Sequence, residues 1–322
     1  MPEKNTKKQL ERPIVDGKIY PRIGFAIGSG AAKAICEFGL IKKLREHNIP
    51  ISYVMGSSMG AIIAGIYATG IDIDKAVEKA ARYAELSSIN NLTNFNLLHE
   101  SIYKKDYTDQ MLKELFFDLR FEDCQIPLAV TAVDLESGQT VLLNKGPLVP
   151  SIRASTSSPG VFAPVLLNER YLVDGGLLED CPISPLRQVG ECDILIGSAI
   201  SDNRNRQFLS GYLYKKFYAS VKKGFFSGKI QSIKTDLNLL GSIIGRSLDI
   251  LREELWEYKL KEAKPDLMIN FNTEKIDLFD FKKTRDLVKW GETVFEQNYG
   301  KLKELIESKQ KELNAPLKNA KL

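Results

Sequence analysis

Short apolar runs alternate along this chain with amphipathic stretches, and glycine-rich turns join them. Ile23 to Ile27 (IGFAI) is apolar and ends at Gly28-Ser29-Gly30, the pattern of a buried strand entering a glycine turn. Ala31 to Glu46 then places Ala34, Phe38, Ile41 and Leu44 on one helical face, with Lys42, Lys43, Arg45 and Glu46 mostly outside. Asn48-Ile49-Pro50 ends that helix. A second strand, Ile51 to Met55, runs into Gly56, and Ala61 to Ala68 predicts a second helix closed by Thr69-Gly70. Strand, turn and helix, twice over, is a βαβα pattern. It predicts a parallel sheet with sites at the carboxyl ends of its strands.

Residues 72–86 and 106–119 also have helical spacing, with an Asn/Ser-rich loop over Ser87 to Asn96 between them. Leu128 to Val133 and Thr140 to Leu143 alternate around Glu136-Ser137-Gly138, a hairpin signal. Tyr171-Leu172-Val173 enters Asp174-Gly175-Gly176, and Asp193 to Ile200 and Asp266 to Phe271 predict further strands. Leu237 to Leu260 reads as a core or dimer-face helix, and Thr284 to Lys309 as a charged one. The expected fold class is α/β, in three layers, with a mostly parallel sheet and helices on both faces. Residues 1–20 read as a loosely ordered lead-in and 21–203 as the core that carries the glycine turns. Residues 204–235 form a separate basic segment, 236–300 complete the same domain, and 301–322 are a charged C-terminal helix and tail.

Composition adds a size and a compartment. The 322 residues are 43% hydrophobic and 27% charged, an ordinary globular balance with enough apolar content for a sizeable core. No window reaches about 18 uncharged apolar residues, and the first 22 residues hold no secretory apolar run. Cys36, Cys124, Cys181 and Cys192 are scattered without a CxxC pair. They read as reduced thiols of a cytosolic protein, with no metal site. No cofactor motif fits: GxGxxG fails because Lys33 stands at the third glycine, and the phosphate loop fails on spacing.

The net charge of +4 is unevenly placed. Residues 204–235 hold eight basic and no acidic residues, so the rest of the chain is net negative. The same window carries seven aromatics. Lys215, Lys216, Lys222 and Lys223 beside Phe225 and Phe226 suit an anionic membrane surface, as a contact or a lid. A core face with solvated lysines is the second reading, and nucleic acid a third without a recognised fold.

Two serines compete in Val54-Met55-Gly56-Ser57-Ser58-Met59-Gly60-Ala61. A nucleophile on a sharp strand-to-helix turn needs small residues two positions either side. Gly56 and Gly60 frame Ser58, whereas Met55 and Met59 would crowd Ser57. A plain βα turn is the alternative. Only His47 and His99 exist to serve as an imidazole base. His47 ends the first helix, where a basic residue suits the helix dipole, and His99 lies away from any turn, so both read as structural or surface residues. A carboxylate remains, and Asp174 in its glycine turn is the acid so placed. A simple Asp-Gly turn is the competing reading.

In this order, Gly28-Ser29-Gly30-Ala31-Ala32-Lys33, Gly56-Ser57-Ser58-Met59-Gly60 and Asp174-Gly175-Gly176 resemble the patatin-like phospholipase family. The resemblance runs from about Ile23 to Asp202, includes Ile152 to Phe162, and returns over Ala263 to Gln297. It implies phospholipase A-type hydrolysis of lipid acyl esters by a Ser-Asp dyad through an acyl-enzyme. Ser58 is then the nucleophile, Asp174 the base, and the backbone of Gly28, Ser29, Gly30 and Ala31 the oxyanion hole. Lys33, Gly56, Met59, Gly60, Gly175 and Gly176 support them, with Lys33 fixing the turn or attracting a lipid phosphate. No cofactor or metal is required; the partner is a lipid ester, no nucleic acid is involved, and a homodimer stays open. The cysteines and the basic window together set the expected location as cytoplasmic, peripheral on the inner membrane face.

Some residues depart from the family's pattern. Ser29 and Ala31 stand where glycines are usual, Ala34 follows Lys33 in place of glycine, and Glu179-Asp180 replaces a frequent asparagine. A lipid- or partner-binding scaffold that kept the fold and lost activity is therefore the second functional reading.

Overall fold

The computed structural model describes residues 12–15, 17–86, 107–159, 162–201, 247–248, 250–272 and 284–315. Its strands are β1 (Ile14–Val15), β2 (Lys18–Ile19), β3 (Ile23–Ile27), β4 (Ile51–Ser57), β5 (Leu128–Asp134), β6 (Thr140–Leu143), β7 (Val165–Leu167), β8 (Arg170–Asp174), β9 (Ile194–Ser201) and β10 (Leu267–Asn272). Its helices are α1 (Cys36–Glu46), α2 (Met59–Thr69), α3 (Ile73–Leu86), α4 (Tyr107–Phe116), α5 (Leu148–Ser155), α6 (Ile183–Val189), α7 (250–263) and α8 (Thr284–Leu313).

β1 and β2 form a small hairpin, and the other eight strands form one sheet. β10, β9, β3, β4 and β5 lie side by side and parallel. β6 and β8 join β5 antiparallel, and β7 follows β8. β3 and β5 are buried at every position, as befits strands covered on both faces. Side chains alternate between the faces. Ile23, Phe25 and Ile27 join a core with Phe38, Ile41, Ile62 and Phe295, while Ala26, Met55 and Leu195 join another with Ile183, Leu186 and Trp256. Helices α1, α2 and α8 therefore cover one face, α6 and α7 the other. This is the expected three-layer, mostly parallel α/β fold.

α1 and α8 touch backbone to backbone. A Cβ on Gly39 would fall 2.6 Å from the Glu292 nitrogen, and one on Gly291 would fall 2.8 Å from the Cys36 carbonyl carbon. The two glycines let the helices cross this closely. α8 also buries Leu287, Val294, Phe295, Leu302 and Ile306, and it runs unbroken past residue 300. The boundary expected between 300 and 301 is thus no element boundary.

The pairing of β5 decides where the site forms. Val130 and Thr131 pair with Gly56 and Ser57 of β4 on one edge and with Leu143 and Leu142 of β6 on the other. Ala132 and Val133 pair with Val141 and Thr140 of β6, and with Asp174 and Val173 of β8. β6 keeps to one edge, so β4 and β8 share the other. They run in opposite directions and meet head to head. β4 ends at Ser57 opposite Thr131, and β8 ends at Asp174 opposite Ala132, one rung apart, or about 3.3 Å.

Three expectations change. Within the expected loose lead-in, the described residues 12–15 and 17–20 make fixed contacts: Ile19 N–H donates to Asn314 Oδ1 (3.0 Å), and Arg12 pairs with Asp193 (2.8 Å). These contacts tie the hairpin to α8 and to the start of β9. The first helix opens as a 3₁₀ turn over Ala31–Ile35 before α1. α5 and α6 were not anticipated. The 204–235 window, with Lys215, Lys216, Lys222, Lys223, Phe225 and Phe226, lies outside the described residues, as does the start of the Leu237 to Leu260 segment. No described helix is long and apolar enough to cross a membrane.

Candidate active site

Ser58 stands at the joint between β4 and α2. Its φ of +55° and ψ of −124° lie in a region that costs a non-glycine residue strain. Strained backbone of this kind marks a strand-to-helix elbow that presents one side chain. Gly56 and Gly60 make the elbow possible. A Cβ on Gly56 would fall 2.7 Å from Ala61 Cα, and one on Gly60 would fall 2.8 Å from the Ile27 carbonyl carbon. Ser57 points into the interior and is fully buried, as is Met55, whereas Met59 is half-buried.

Ser58 Oγ donates a hydrogen bond of 2.7 Å to Asp174 Oδ2. The other carboxylate oxygen, Oδ1, accepts from Gly176 N–H at 2.8 Å. Gly175 lies against Thr131 of β5, which lets the chain turn directly after the strand. Asp174 is buried, and burial pushes its carboxyl above the usual carboxylate range. The Arg252 guanidinium, the Ser58 hydroxyl and the Gly176 amide act in the opposite sense, and Asp180 adds a smaller upward push. Desolvation, not the neighbouring acids, is thus the main cause.

Two serines of the Ile152 to Phe162 stretch, neither given a role from sequence, complete the site. The Ser58 N–H donates to Ser155 Oγ (3.0 Å), and the Asp174 N–H donates to the Ser157 carbonyl (2.9 Å). The end of α5 therefore holds both partners. The Ile152 to Phe162 stretch carried the signal, since it formed part of the family resemblance. Arg252 of α7 gave no signal, because an arginine on an amphipathic helix reads as exterior.

The first turn packs against the other two. A Cβ on Gly60 would meet the carbonyls of Ile27 and Gly28, and one on Gly176 would lie 3.2 Å from Ser29 Cβ. The expected oxyanion donors are only partly free for that role. Gly28 N–H donates to the Ser198 carbonyl (2.9 Å), and Ser29 N–H to the Asp180 carbonyl (2.7 Å). Both amides are committed to structure. Gly30 and Ala31 open the 3₁₀ turn, where amides lack an acceptor within the turn. Lys33 is 2% exposed, so its ammonium is not presented at the surface for a lipid phosphate.

Ala31 sits at φ +49°, where a methyl group is strained. Ala31→Gly is expected to stabilise the protein by about 1 kcal/mol, less the backbone entropy that glycine adds to the unfolded chain. Chemical denaturation measures the difference.

Glu37, in the first turn of α1, is fully buried and faces Ser198, with Asp180 nearby. Burial drives its carboxyl well above its ordinary 4.5. The folded state then keeps a proton that the unfolded state releases. This contribution to stability is complete below pH 4.5 and is lost as pH rises towards the folded value. Its slope is about 1.4 kcal/mol per pH unit. Glu37→Gln is expected to flatten the fall in stability as pH rises above 4.5 in urea titrations.

His47 caps α1, with its ring 4.1 Å from that of Tyr299 and 5.2 Å from that of Phe295, and Glu296 lies 3.2 Å from its Nε2. It is a packing residue, as expected. His99 lies outside the described residues. Cys36 and Cys181 are buried, and Cys124 and Cys192 are partly so. Among the described residues no cluster of His, Cys, Asp and Glu is placed to hold a metal.

The chain is similar in sequence to known proteins. The family model of patatin-like phospholipases matches residues 25–187. An uncharacterised NTE family protein of Mycobacterium tuberculosis is 33% identical over 192 residues, covering 58% of this chain and 51% of its own. Lysophospholipase NTE1 of Cryptococcus neoformans is 29% identical over 181 residues, covering 54% of this chain and 11% of that protein. The chain thus spans about half the length of the mycobacterial relative. Among solved structures, VipD from Legionella pneumophila aligns over 93% of this chain and 70% of its own, with 15% identity and a TM-score of 0.44.

Proposed function

Since the chain belongs to the patatin-like phospholipase family, we propose that it hydrolyses lipid acyl esters in the phospholipase A manner, with Ser58 as nucleophile and Asp174 as its base. The observation that carries this reading is the 2.7 Å hydrogen bond from Ser58 Oγ to Asp174 Oδ2. A serine hydroxyl needs a positioned group to take its proton. A carboxylate raised by burial is a better proton acceptor than an ordinary one, and Asp174 is raised.

The reaction runs in two halves. Ser58 Oγ attacks the ester carbonyl while its proton passes to Asp174 Oδ2. The tetrahedral intermediate carries negative charge on the former carbonyl oxygen. The amides of Gly30 and Ala31 are the proposed donors to that oxygen. Collapse breaks the bond to the alcohol oxygen, and Asp174 returns the proton to that leaving group. A water then attacks the acyl-Ser58 ester, gives a proton to Asp174, and releases the fatty acid. Ser58 recovers its hydrogen from the same carboxyl. Asp174 must be ionised to begin, so activity is expected to fall on the acid side, at a higher pH than for an exposed aspartate.

Treatment with a fluorophosphonate probe, followed by mapping of the label, tests the reading. Labelling at Ser58 and fatty-acid release from a panel of phospholipids and neutral lipids are expected. A folded chain that binds lipid vesicles, resists the probe and releases no fatty acid would turn the assignment to the scaffold reading.

A further inference from the structure

Ser29 and Asp180 are two residues at which this chain leaves the usual family pattern, and they are bonded to each other. Ser29 N–H donates to the Asp180 carbonyl at 2.7 Å, and Ser29 Oγ donates to the Asp180 carboxylate. Both residues are buried. The Asp180 carboxylate also faces the guanidinium of Arg252, with Oδ1 3.8 Å from Nη2. Its neighbour Glu179 pairs with Lys259, two turns further along α7. Two adjacent acids thus anchor one helix beside the site.

These contacts link all parts of the site. Ser29 lies in the turn that supplies the proposed oxyanion donors. Arg252 lies at the Asp174 turn, because a Cβ on Gly176 would fall 2.9 Å from Arg252 Nη2 and 3.1 Å from Asp174 Oδ1. Bonding Ser29 to Asp180 twice, through its backbone and its side chain, fixes position and rotation together.

We propose that Ser29, Asp180 and Arg252 form a latch that clamps the first turn against the Asp174 turn and so positions the Gly30 and Ala31 amides over Ser58. This rests on the reaction proposed above and assigns positioning residues to it. None of the three is asked to touch the reacting atoms. A Ser-Asp clamp here restrains a turn that glycine would otherwise have to shape. Loss of the clamp misplaces oxyanion donors, and a displacement of about 1 Å at such a point costs up to 100-fold in rate.

The latch also sets the charge around Asp174. The charged groups acting on it are Arg252 from α7 and Asp180 from the segment before α6, and Glu37 of α1 faces Asp180 in turn. Removing the Asp180 charge leaves Arg252 opposite Asp174 with less competition. Removing Arg252 leaves Asp180 unopposed. The two changes act on the base in opposite directions.

The test uses the full chain with Ser29→Ala, Asp180→Asn, the double variant and Arg252→Gln. Two measurements are made on each: urea unfolding, and hydrolysis of a water-soluble p-nitrophenyl ester across pH. Ser29→Ala and Asp180→Asn are each expected to lower kcat about tenfold or more with little change in KM. The double variant should fall no further than the worse single one, in kcat and in urea midpoint alike. The acidic limb of kcat/KM should move down in Asp180→Asn and up in Arg252→Gln. Strictly additive effects of Ser29→Ala and Asp180→Asn on the urea midpoint would overturn the latch, even in a chain with no activity. Coupled midpoints with unchanged kcat, or limbs that do not separate, would overturn its catalytic role. A wild type that neither hydrolyses the ester nor labels at Ser58, yet shows coupled midpoints, would remove the dyad and reduce the latch to a structural clamp.

Discussion

Ser58→Ala is expected to lower ester hydrolysis by about 10⁴-fold or more and to abolish probe labelling, while Ser57→Ala keeps most of both. The magnitude follows from removing the proposed nucleophile from a hydrogen bond to its proposed base. The contrast follows from the elbow. Ser58 meets Asp174 at 2.7 Å, whereas Ser57 is the last residue of β4 and is fully buried. The Ser57 hydroxyl has no hydrogen-bond partner among the described residues, so Ser57→Ala removes a buried polar group without orphaning another. Its stability should hold or rise by about 1 kcal/mol. Asp174→Asn should be about as inactive as Ser58→Ala, and the double variant little worse, because the two act as one unit. Steady-state hydrolysis and probe labelling of the purified variants measure all of this. Equal losses in Ser57→Ala and Ser58→Ala, with folding intact, would sink the assignment.

Gly60→Ala is expected to destabilise the fold by about 3 kcal/mol and to erase labelling at Ser58. The new methyl would sit 2.8 Å from the Ile27 carbonyl carbon and closer still to two carbonyl oxygens, all of them backbone. Backbone at the end of a buried strand cannot step aside as a flexible side chain can, so the cost reaches the upper range for overpacking. The turn that must yield is the one carrying the proposed oxyanion donors, so stability and reactivity fall together. Gly300→Ala is the matched control. It lies in α8 with no atom within 4 Å of the added Cβ, and it should gain about 1 kcal/mol from helix propensity. Urea unfolding of the two variants beside the wild type gives both numbers. If Gly60→Ala folds and labels normally, the contact between the first two turns carries no strain.

The elements that sequence resolved are those whose signals are local. β3, β4 and the turns that follow them announce themselves by an apolar run closed with glycine, and the glycine frame picks out Ser58 over Ser57. α5 and α6 escaped because they are short, and Pro150 and Pro185 fall inside them. Both prolines stand in the first turn, where a missing N–H is tolerated. The β1–β2 hairpin has only a short local signal, Asp16-Gly17 between Ile14-Val15 and Lys18-Ile19. Other features have no local signature at all. Ser29 and Asp180 are 151 residues apart, and nothing in either neighbourhood names the other. The commitment of the Gly28 and Ser29 amides is equally invisible, because their acceptors belong to β9 and to the segment before α6. Asp174 was legible as a candidate from its glycine turn, but its placement beside Ser58 is a matter of strand register.

That register carries a consequence for the chain before it has folded. Ser58 and Asp174 are separated by 116 residues, and they meet only because Ser58 directly follows β4 and Asp174 ends β8, two strands laid along the same edge of β5. Closing so long a loop is entropically costly and comes with the assembly of the whole sheet. A ribosome-bound or half-unfolded chain therefore holds a serine and a carboxylate but no paired dyad. The proposed ester hydrolysis begins with completed folding and ends with its loss.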